Sequence, residues 1–235
     1  MNVTIAKKEQ VRSMFNSIAG KYDFLNHFLS VGIDKSWRKK LVKLVLETQP
    51  QMVLDVATGT ADLAITLALK SDAVITGVDI SQGMLDVGIK KLRRKGLEKQ
   101  ITLELGDSEQ LPFQTASFDA GMVAFGVRNF EDLDKGLSEM HRTLKPGGMI
   151  AILEFSRPKA FPVKQLYNFY FLNILPLMGR LVSKDKGAYT YLPESVNVFP
   201  DGKDFLNHLQ KCGFTNLTER RLTFGIASIY TGKKN

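Results

Sequence analysis

Short apolar runs alternate with helix-spaced patterns through the middle of the chain. MVLDV (52–56), VITGVD (74–79), ITLELGD (101–107), SFDAGMVAF (117–125) and MIAILEF (149–155) are brief and apolar on both faces. Such runs read as strands buried in a parallel sheet. Between them, residues 61–70, 81–95 and 132–144 repeat apolar positions at helical spacing. Ser81 stands where an N-cap is needed, and Pro146 with Gly147 is expected to stop the third helix. The alternation predicts βαβ units: an α/β, Rossmann-like, doubly wound and mostly parallel sheet with helices on both faces. Residues 201–214 then read as a helix, and 216–233 as two strands joined near Phe224 and Gly225.

The flanks depart from this rhythm. Residues 6–19 and 34–48 read as N-terminal helices; in the second, Trp37, Leu41, Leu44 and Val45 share a face. Residues 161–182 form an apolar, aromatic insertion, but Lys164, Asn168, Asn173, Pro176 and Arg180 interrupt any membrane span. That segment fits a buried helix pair or a lid over an apolar pocket. No signal peptide is read at the N-terminus. The expected organisation is one domain: 1–50 a helical cap, 52–156 a ligand-binding core, 157–200 a pocket insertion, and 201–235 a C-terminal helix with strands.

Composition narrows the chemistry. With 44% hydrophobic and 24% charged residues, the chain is neither disordered nor repetitive. A single cysteine, Cys212, excludes an internal disulfide and reads as a small buried hydrophobe. The three histidines are far apart, so no metal site is expected, and the setting is read as cytoplasmic. Net charge is +8, and the first 50 residues hold nine basic against four acidic side chains. That balance fits a nucleic acid, an anionic lipid surface or a solvated helical face.

Three strand ends carry acids. Asp55 closes the first strand and leads into Ala-Thr-Gly-Thr-Ala (57–61); Asp79 closes the second; Asp107-Ser108 follows the third. An acid at a strand's carboxyl end beside a tight Gly59 turn marks the ligand crevice of an open α/β sheet. Asp79 suits the ribose hydroxyls of an adenosine-containing ligand, and Asp107 or Ser108 its adenine amino group. The pyrophosphate pattern G-x-G-x-x-G is absent. Asp55 beside the loop opposes a pyrophosphate but suits the ammonium of S-adenosylmethionine. The joint pattern points to a class I S-adenosylmethionine-dependent methyltransferase fold rather than a dinucleotide dehydrogenase. A nucleic-acid methyltransferase is disfavoured: FGVRN (125–129) has no Pro-Pro after the fourth strand, and Cys212 lies in a late helix. A lipid-binding module would not need three strand-end acids.

YDFLNHFLSVGIDKSW (22–37), LDVATGTADLA (54–64), GVDIS (77–81), LPF (111–113), FGVRN (125–129) and RTLKPGGMIAILEFS (142–156) together resemble the ubiquinone/menaquinone biosynthesis C-methyltransferases, over roughly residues 8–231. The chain departs from the family's usual pattern at Leu25, Asp34, Ala124 and Thr143. The resemblance implies that Thr58, Asp79, Asp107 and Ser108 contact S-adenosylmethionine. It implies a polyprenylated quinol methylated on ring carbon, with demethylmenaquinol preferred and the ubiquinone-pathway benzoquinol as alternative; the core motifs by themselves do not name the acceptor atom, which leaves a small-phenol O-methyltransferase behind both. A phenol-like hydroxyl must ionise to activate the ring, which costs roughly 4 kcal/mol at pH 7. Arg128 is the expected electrostatic partner of that aryloxide, with Asn129 orienting and Tyr22 and Asp23 closing over the site. Glu154 fits a cap or a substrate contact, Tyr189 and Tyr191 an acceptor pocket, and His27 a packed aromatic face. Peripheral contact with an anionic membrane and a homodimer complete the expectations for partners.

Overall fold

A computed structural model describes residues 7–24, 30, 32–170, 173 and 187–235, without the side chains of Asn168 and residues 187–190. His27, Leu25, residues 174–182 and the Tyr189 side chain lie outside this description. Helices α1 (Lys7–Ile18) and α2 (Ile33–Leu46) precede the core. The core runs β1 (Met52–Val56), α3 (Asp62–Ala68), β2 (Val74–Asp79), α4 (Gln82–Lys95), β3 (Ile101–Leu105), β4 (Phe118–Ala124), α5 (Leu133–Thr143) and β5 (Leu144–Phe155). Then come α6 (Val163–Phe169), α7 (Gly187–Val198), α8 (Lys203–Lys211), β6 (Thr215–Leu222) and β7 (Ala227–Lys233).

The seven strands are ordered β3-β2-β1-β4-β5-β7-β6. β7 inserts antiparallel between β5 and β6, while the first five strands are parallel. Strand order reverses between β1 and β4, which opens a crevice beyond their carboxyl ends. Successive strand residues point to opposite faces, and the core divides accordingly. Val53, Met122 and Ala151 meet Trp37, Leu41 and Leu67 on one side. Leu54, Val123 and Ile150 meet Leu137, Phe205 and Tyr230 on the other.

The Ser81 side chain accepts from the Met84 N–H, as the N-cap reading expects. The end of α5 requires a correction. Pro146 and Gly147 do not stop that helix; β5 already begins at Leu144 and carries both residues within it. The helix ends because its last carbonyls find other donors. Arg142 O accepts from Ala116 N–H at 3.1 Å and Thr143 O from Ser117 N–H at 2.8 Å. Lys234 Nζ donates to Leu144 O at 2.8 Å. Gly147, at φ 79°, donates to Lys234 O at 2.7 Å, so the Pro-Gly-Gly segment is a bulged strand margin.

The basic N-terminal segment also differs from a simple solvated face. Arg38 is buried, ion-paired with Asp34 and set 5.4 Å from the centre of the Phe125 ring. Cys212 is half-buried and donates to Asp134 O at 3.3 Å.

Phe205 sits between Phe199 and Tyr230 at ring separations of 5.0 and 4.7 Å. Phe205→Ala is expected to lower unfolding free energy by about 3–5 kcal/mol. Urea titration checks this, and ligand affinity of the folded fraction should be unchanged because the residue lies in the core, remote from the crevice.

Candidate active site

The loop from β1 to α3 forms one wall of the crevice. Ala57, Gly59 and Ala61 hold φ of 51°, 58° and 67°. For alanine this left-handed conformation costs about 1–2 kcal/mol per residue, so the loop stores strain at the mouth of the crevice. Gly126, after β4, permits the opposing wall to close in: a Cβ there would meet that of Ala57 at 2.5 Å.

Two carboxylates are buried at this point. Asp79 Oδ2 accepts from Gly59 N–H at 2.8 Å and Oδ1 from Ser81 N–H at 2.9 Å. Burial nevertheless pushes its pKa up to about 6. Asp55 Oδ2 accepts from the Thr58 hydroxyl at 2.7 Å. Its other oxygen, Oδ1, has no hydrogen-bond partner among the described residues. Desolvation lifts Asp55 to about 7. A buried acid with an oxygen that lacks a partner is suited to receive the cationic group of a ligand.

Two cavities meet here. One of about 670 Å3 is lined by Asp79, Asp107, Ser108, Tyr22 and Asn129, among others. A smaller one of about 320 Å3 is lined by Asp55, Thr58 and Arg38. Tyr22, Ala57, Gly59 and Ala124 line both, which makes one continuous cleft. The order of the acids along it fits S-adenosylmethionine, with the ammonium at Asp55, the ribose at Asp79 and the adenine at Asp107 and Ser108.

Helix α1 roofs this cleft, an arrangement sequence reasoning missed. Lys8, Val11 and Phe15 line it from above. Lys8 Nζ donates to Asp107 Oδ2 at 2.7 Å and Glu109 Oε2 at 3.0 Å. Those carboxylates raise the Lys8 pKa. Lys7 Nζ donates to Phe130 O at 2.5 Å. Asn16 Oδ1 accepts from the Ser81 hydroxyl and from Gly83 N–H, at 2.8 and 2.9 Å. Asp23 accepts from the Thr60 hydroxyl at 2.5 Å and from Lys91 Nζ at 2.9 Å. The spacing of Lys8, Val11 and Phe15 at i, i+3 and i+7 was the available signal.

The turn after β4 separates Arg128 from Asn129. Asn129 faces the cleft. Arg128 does not line it; its side chain is 6% exposed and pairs with the fully buried Glu154 at 2.7 Å. The guanidinium also donates to Phe125 O at 2.5 Å and Ser195 Oγ at 3.3 Å. Arg128, expected as the electrostatic partner of the aryloxide, thus carries a carboxylate counter-ion, Glu154, that offsets its charge. Glu154 does not line the cleft; it is the counter-ion of Arg128 and also accepts from the Arg128 backbone N–H at 3.4 Å. Tyr191 lies across the turn, and its hydroxyl donates to Asn129 Oδ1 at 2.9 Å.

Sheet order and cleft together define a class I S-adenosylmethionine-dependent methyltransferase. An S-adenosylmethionine-dependent methyltransferase from Thermotoga maritima superposes with a TM-score of 0.68 at 18% identity, covering 95% of this chain and 99% of that one. The chain belongs to the ubiE/COQ5 methyltransferase family, whose profile matches residues 3–234. A demethylmenaquinone methyltransferase of Bacteroides fragilis is 48% identical over 230 residues, 97% of this chain and 94% of that protein. A ubiquinone/menaquinone biosynthesis C-methyltransferase UbiE of Geobacter sulfurreducens is 46% identical over 97% of this chain and 90% of its own length.

The two raised acids set a sign for pH effects. An unfolded aspartate titrates near ~4. Between about pH 4 and pH 6–7 the folded chain therefore holds protons that the unfolded chain has released. Their contribution to stability is greatest at low pH and is lost as pH rises through 6 to 7. Binding of a cation at Asp55 runs the other way, because it requires the ionised acid. S-adenosylmethionine affinity is expected to be about tenfold weaker at pH 6 than at pH 8, with a proton released on binding near pH 7. Calorimetry in buffers of different ionisation enthalpy checks this, and Asp55→Asn should remove most of the pH dependence.

Proposed function

We propose that this protein transfers the methyl group of S-adenosylmethionine to a ring carbon of a prenylated quinol, with demethylmenaquinol as the leading acceptor. The buried, half-satisfied Asp55 carries the cofactor half of this reading. Family membership and the names of the Bacteroides and Geobacter relatives support the acceptor half. The Geobacter name covers both pathways, so the benzoquinol step is the second reading.

When bound, S-adenosylmethionine supplies an electrophilic methyl group. Asp55 seats its ammonium, with Thr58 holding Asp55 in place and Gly59 and Asp79 shaping the ribose site. Asp107 and Ser108 border the adenine end, where Lys8 keeps the Asp107 carboxylate oriented. The ring carbon becomes nucleophilic only as its hydroxyl ionises, so the site must favour a developing oxyanion and exclude water. Asn129 and Tyr22 face the cleft and are assigned to orient the acceptor. Arg128 is assigned a positioning role with residual electrostatic reach: Glu154, Phe125 O and Ser195 hold it, and it fixes the turn that aims Asn129. Alignment of the two reactants supplies about 7–11 kcal/mol in favourable cases, more than one partly neutralised cation can.

Labelled S-adenosylmethionine with demethylmenaquinol should give a ring-carbon methyl product by NMR; an ether methyl, or no transfer to either quinol, would overturn the reading. Arg128→Ala alone strands a buried carboxylate, at a cost of about 3–5 kcal/mol. The double variant Arg128→Met/Glu154→Gln avoids this. Its turnover is expected to fall well over tenfold with cofactor affinity kept; normal turnover would remove Arg128 from the site.

A prenylated acceptor resides in a bilayer, and we include peripheral contact with an anionic membrane surface in the proposal. No described helix is long and apolar enough to cross a membrane. The supporting observation is a set of apolar side chains left in water. Phe161 is 82% exposed and Phe224 80%, and Leu166 and Phe169 are also exposed. Thr223, Phe224 and Gly225 all have positive φ, so strained backbone holds Phe224 outward. Exposed Lys159 and Lys164 lie nearby in the chain, and each such cation is worth about 1 kcal/mol at an anionic surface. Cosedimentation with phosphatidylglycerol vesicles should exceed that with phosphatidylcholine, weaken with salt, and drop several-fold in Phe161→Ser/Phe224→Ser.

A further inference from the structure

The Asn129 amide is held at both ends, and its partners fix which end the cleft meets. Its Nδ2 donates to Phe125 O at 3.5 Å. A carbonyl oxygen only accepts, and this one also receives Arg128 Nη1 at 2.5 Å. The nitrogen of the amide, not its oxygen, must therefore lie beside Phe125 O. The amide oxygen is turned the other way, where the Tyr191 hydroxyl donates to it at 2.9 Å. Asn129 borders the cofactor cleft; Tyr191 does not, and lines a separate cavity with Glu194 and Ser195. Tyr191 and Ser195 stand one turn apart on α7, so a single helical face reaches Asn129 and Arg128 in succession. Burial, with Glu154 adding to it, holds the Tyr191 hydroxyl above the ordinary phenol range against the pull of Arg128, so it stays protonated. With Oδ1 drawn toward α7, the amide has its second Nδ2 N–H left for the cleft, and this N–H makes no hydrogen bond among the described residues.

We propose that Tyr191 is a positioning residue for methyl transfer: it clamps the Asn129 amide so that an N–H, and not the carbonyl oxygen, meets the acceptor's hydroxyl oxygen as that oxygen becomes an oxyanion. The inference rests on the ring-carbon methylation proposed above. It adds the polarity of Asn129 and a residue outside the cleft that secures it. A developing aryloxide is stabilised by a donor aimed at it and opposed by a carbonyl dipole. The two ends of a primary amide are nearly equal in size, so hydrogen bonds rather than packing must choose between them. Phe125 O makes that choice, since turning the amide over would set two carbonyl oxygens against each other. A contact of 3.5 Å restrains only one end, however, and Tyr191 supplies the shorter bond that keeps the amide plane from swinging.

Tyr191→Phe removes the hydroxyl and keeps the ring. Its kcat with demethylmenaquinol is expected to fall roughly tenfold, while KM, S-adenosylmethionine affinity and the shape of the pH profile stay as in wild type. Loss of a limb of that profile would make Tyr191 a base and overturn the proposal. Asn129→Ala removes the donor altogether and should cost roughly a hundredfold. Adding Tyr191→Phe to it should cost nothing further, whereas losses that multiply would show Tyr191 acting on its own and also overturn the proposal. Asn129→Asp sets an oxygen where the nitrogen was, and should be slower than Asn129→Ala; a faster aspartate variant would reverse the polarity assigned here. Binding of 4-nitro-1-naphthol, whose colour reports its ionisation, reads the same group without methyl transfer. With S-adenosylhomocysteine bound, wild-type protein should favour the naphtholate form about fivefold more than Tyr191→Phe does, and equal preference would overturn the proposal. That preference without methylation of either quinol would leave Tyr191 and Asn129 in these roles and sink the acceptor reading instead.

Discussion

A carboxylate held away from water without its full complement of hydrogen bonds is the constraint on which this molecule depends. Asp55 is the penultimate residue of β1, at the point where strand order reverses, with one oxygen served by Thr58 and the other without a hydrogen-bond partner among the described residues. Ionising such a group in a closed interior is costly, which is why it titrates near 7. The cost becomes useful when a cationic ligand enters, because the same low dielectric that raised the pKa strengthens the attraction. Asp79, one strand over, is held less tensely: two backbone N–H groups serve it, and it sits nearer 6.

The rest of the architecture brings separate pieces of chain to that pair of acids. Strained Ala57 and Ala61 and the bare Gly126 let two loops meet over the sheet edge. Helix α1 is then fastened across the top by Lys7, Lys8 and Asn16, each reaching a different loop. On the far side α7 is tied to the turn after β4 through Tyr191 and Ser195. The turn after β4 is therefore fastened to α1 through Lys7 and to α7 through Tyr191 and Ser195.

Much of this was legible in the sequence because burial in a parallel sheet imposes a strong pattern. β1 and β2 begin and end where the apolar runs do, and the Ser81 cap follows from a local hydrogen bond. The strand-end acids were legible for the same reason: each stands where an apolar run gives way to a turn. What escaped depends on contacts between distant segments. Nothing local announces that Lys8 reaches Asp107, or that Glu154 neutralises Arg128 across 26 positions. The start of β5 was misplaced because Pro-Gly-Gly is a helix-stop signal on its own, whereas here Ala116 and Ser117, just before β4, and Lys234 take the helix-end carbonyls first. Counting cations along the N-terminal segment also overstated its free charge, since Lys7, Lys8 and Arg38 are engaged internally.

In the proposed function, Asp55 is a desolvated acid that meets the ammonium of the ligand. Carboxyl-carbon NMR titration of Asp55, in the free protein and with S-adenosylhomocysteine bound, tests it directly, since that ligand keeps the ammonium and lacks the reactive methyl. The account predicts titration near pH 7 in the free protein, moving to roughly pH 4–6 when the ligand is present. An Asp55 that titrates near ~4 in the free protein, or that ignores the ligand, would contradict it.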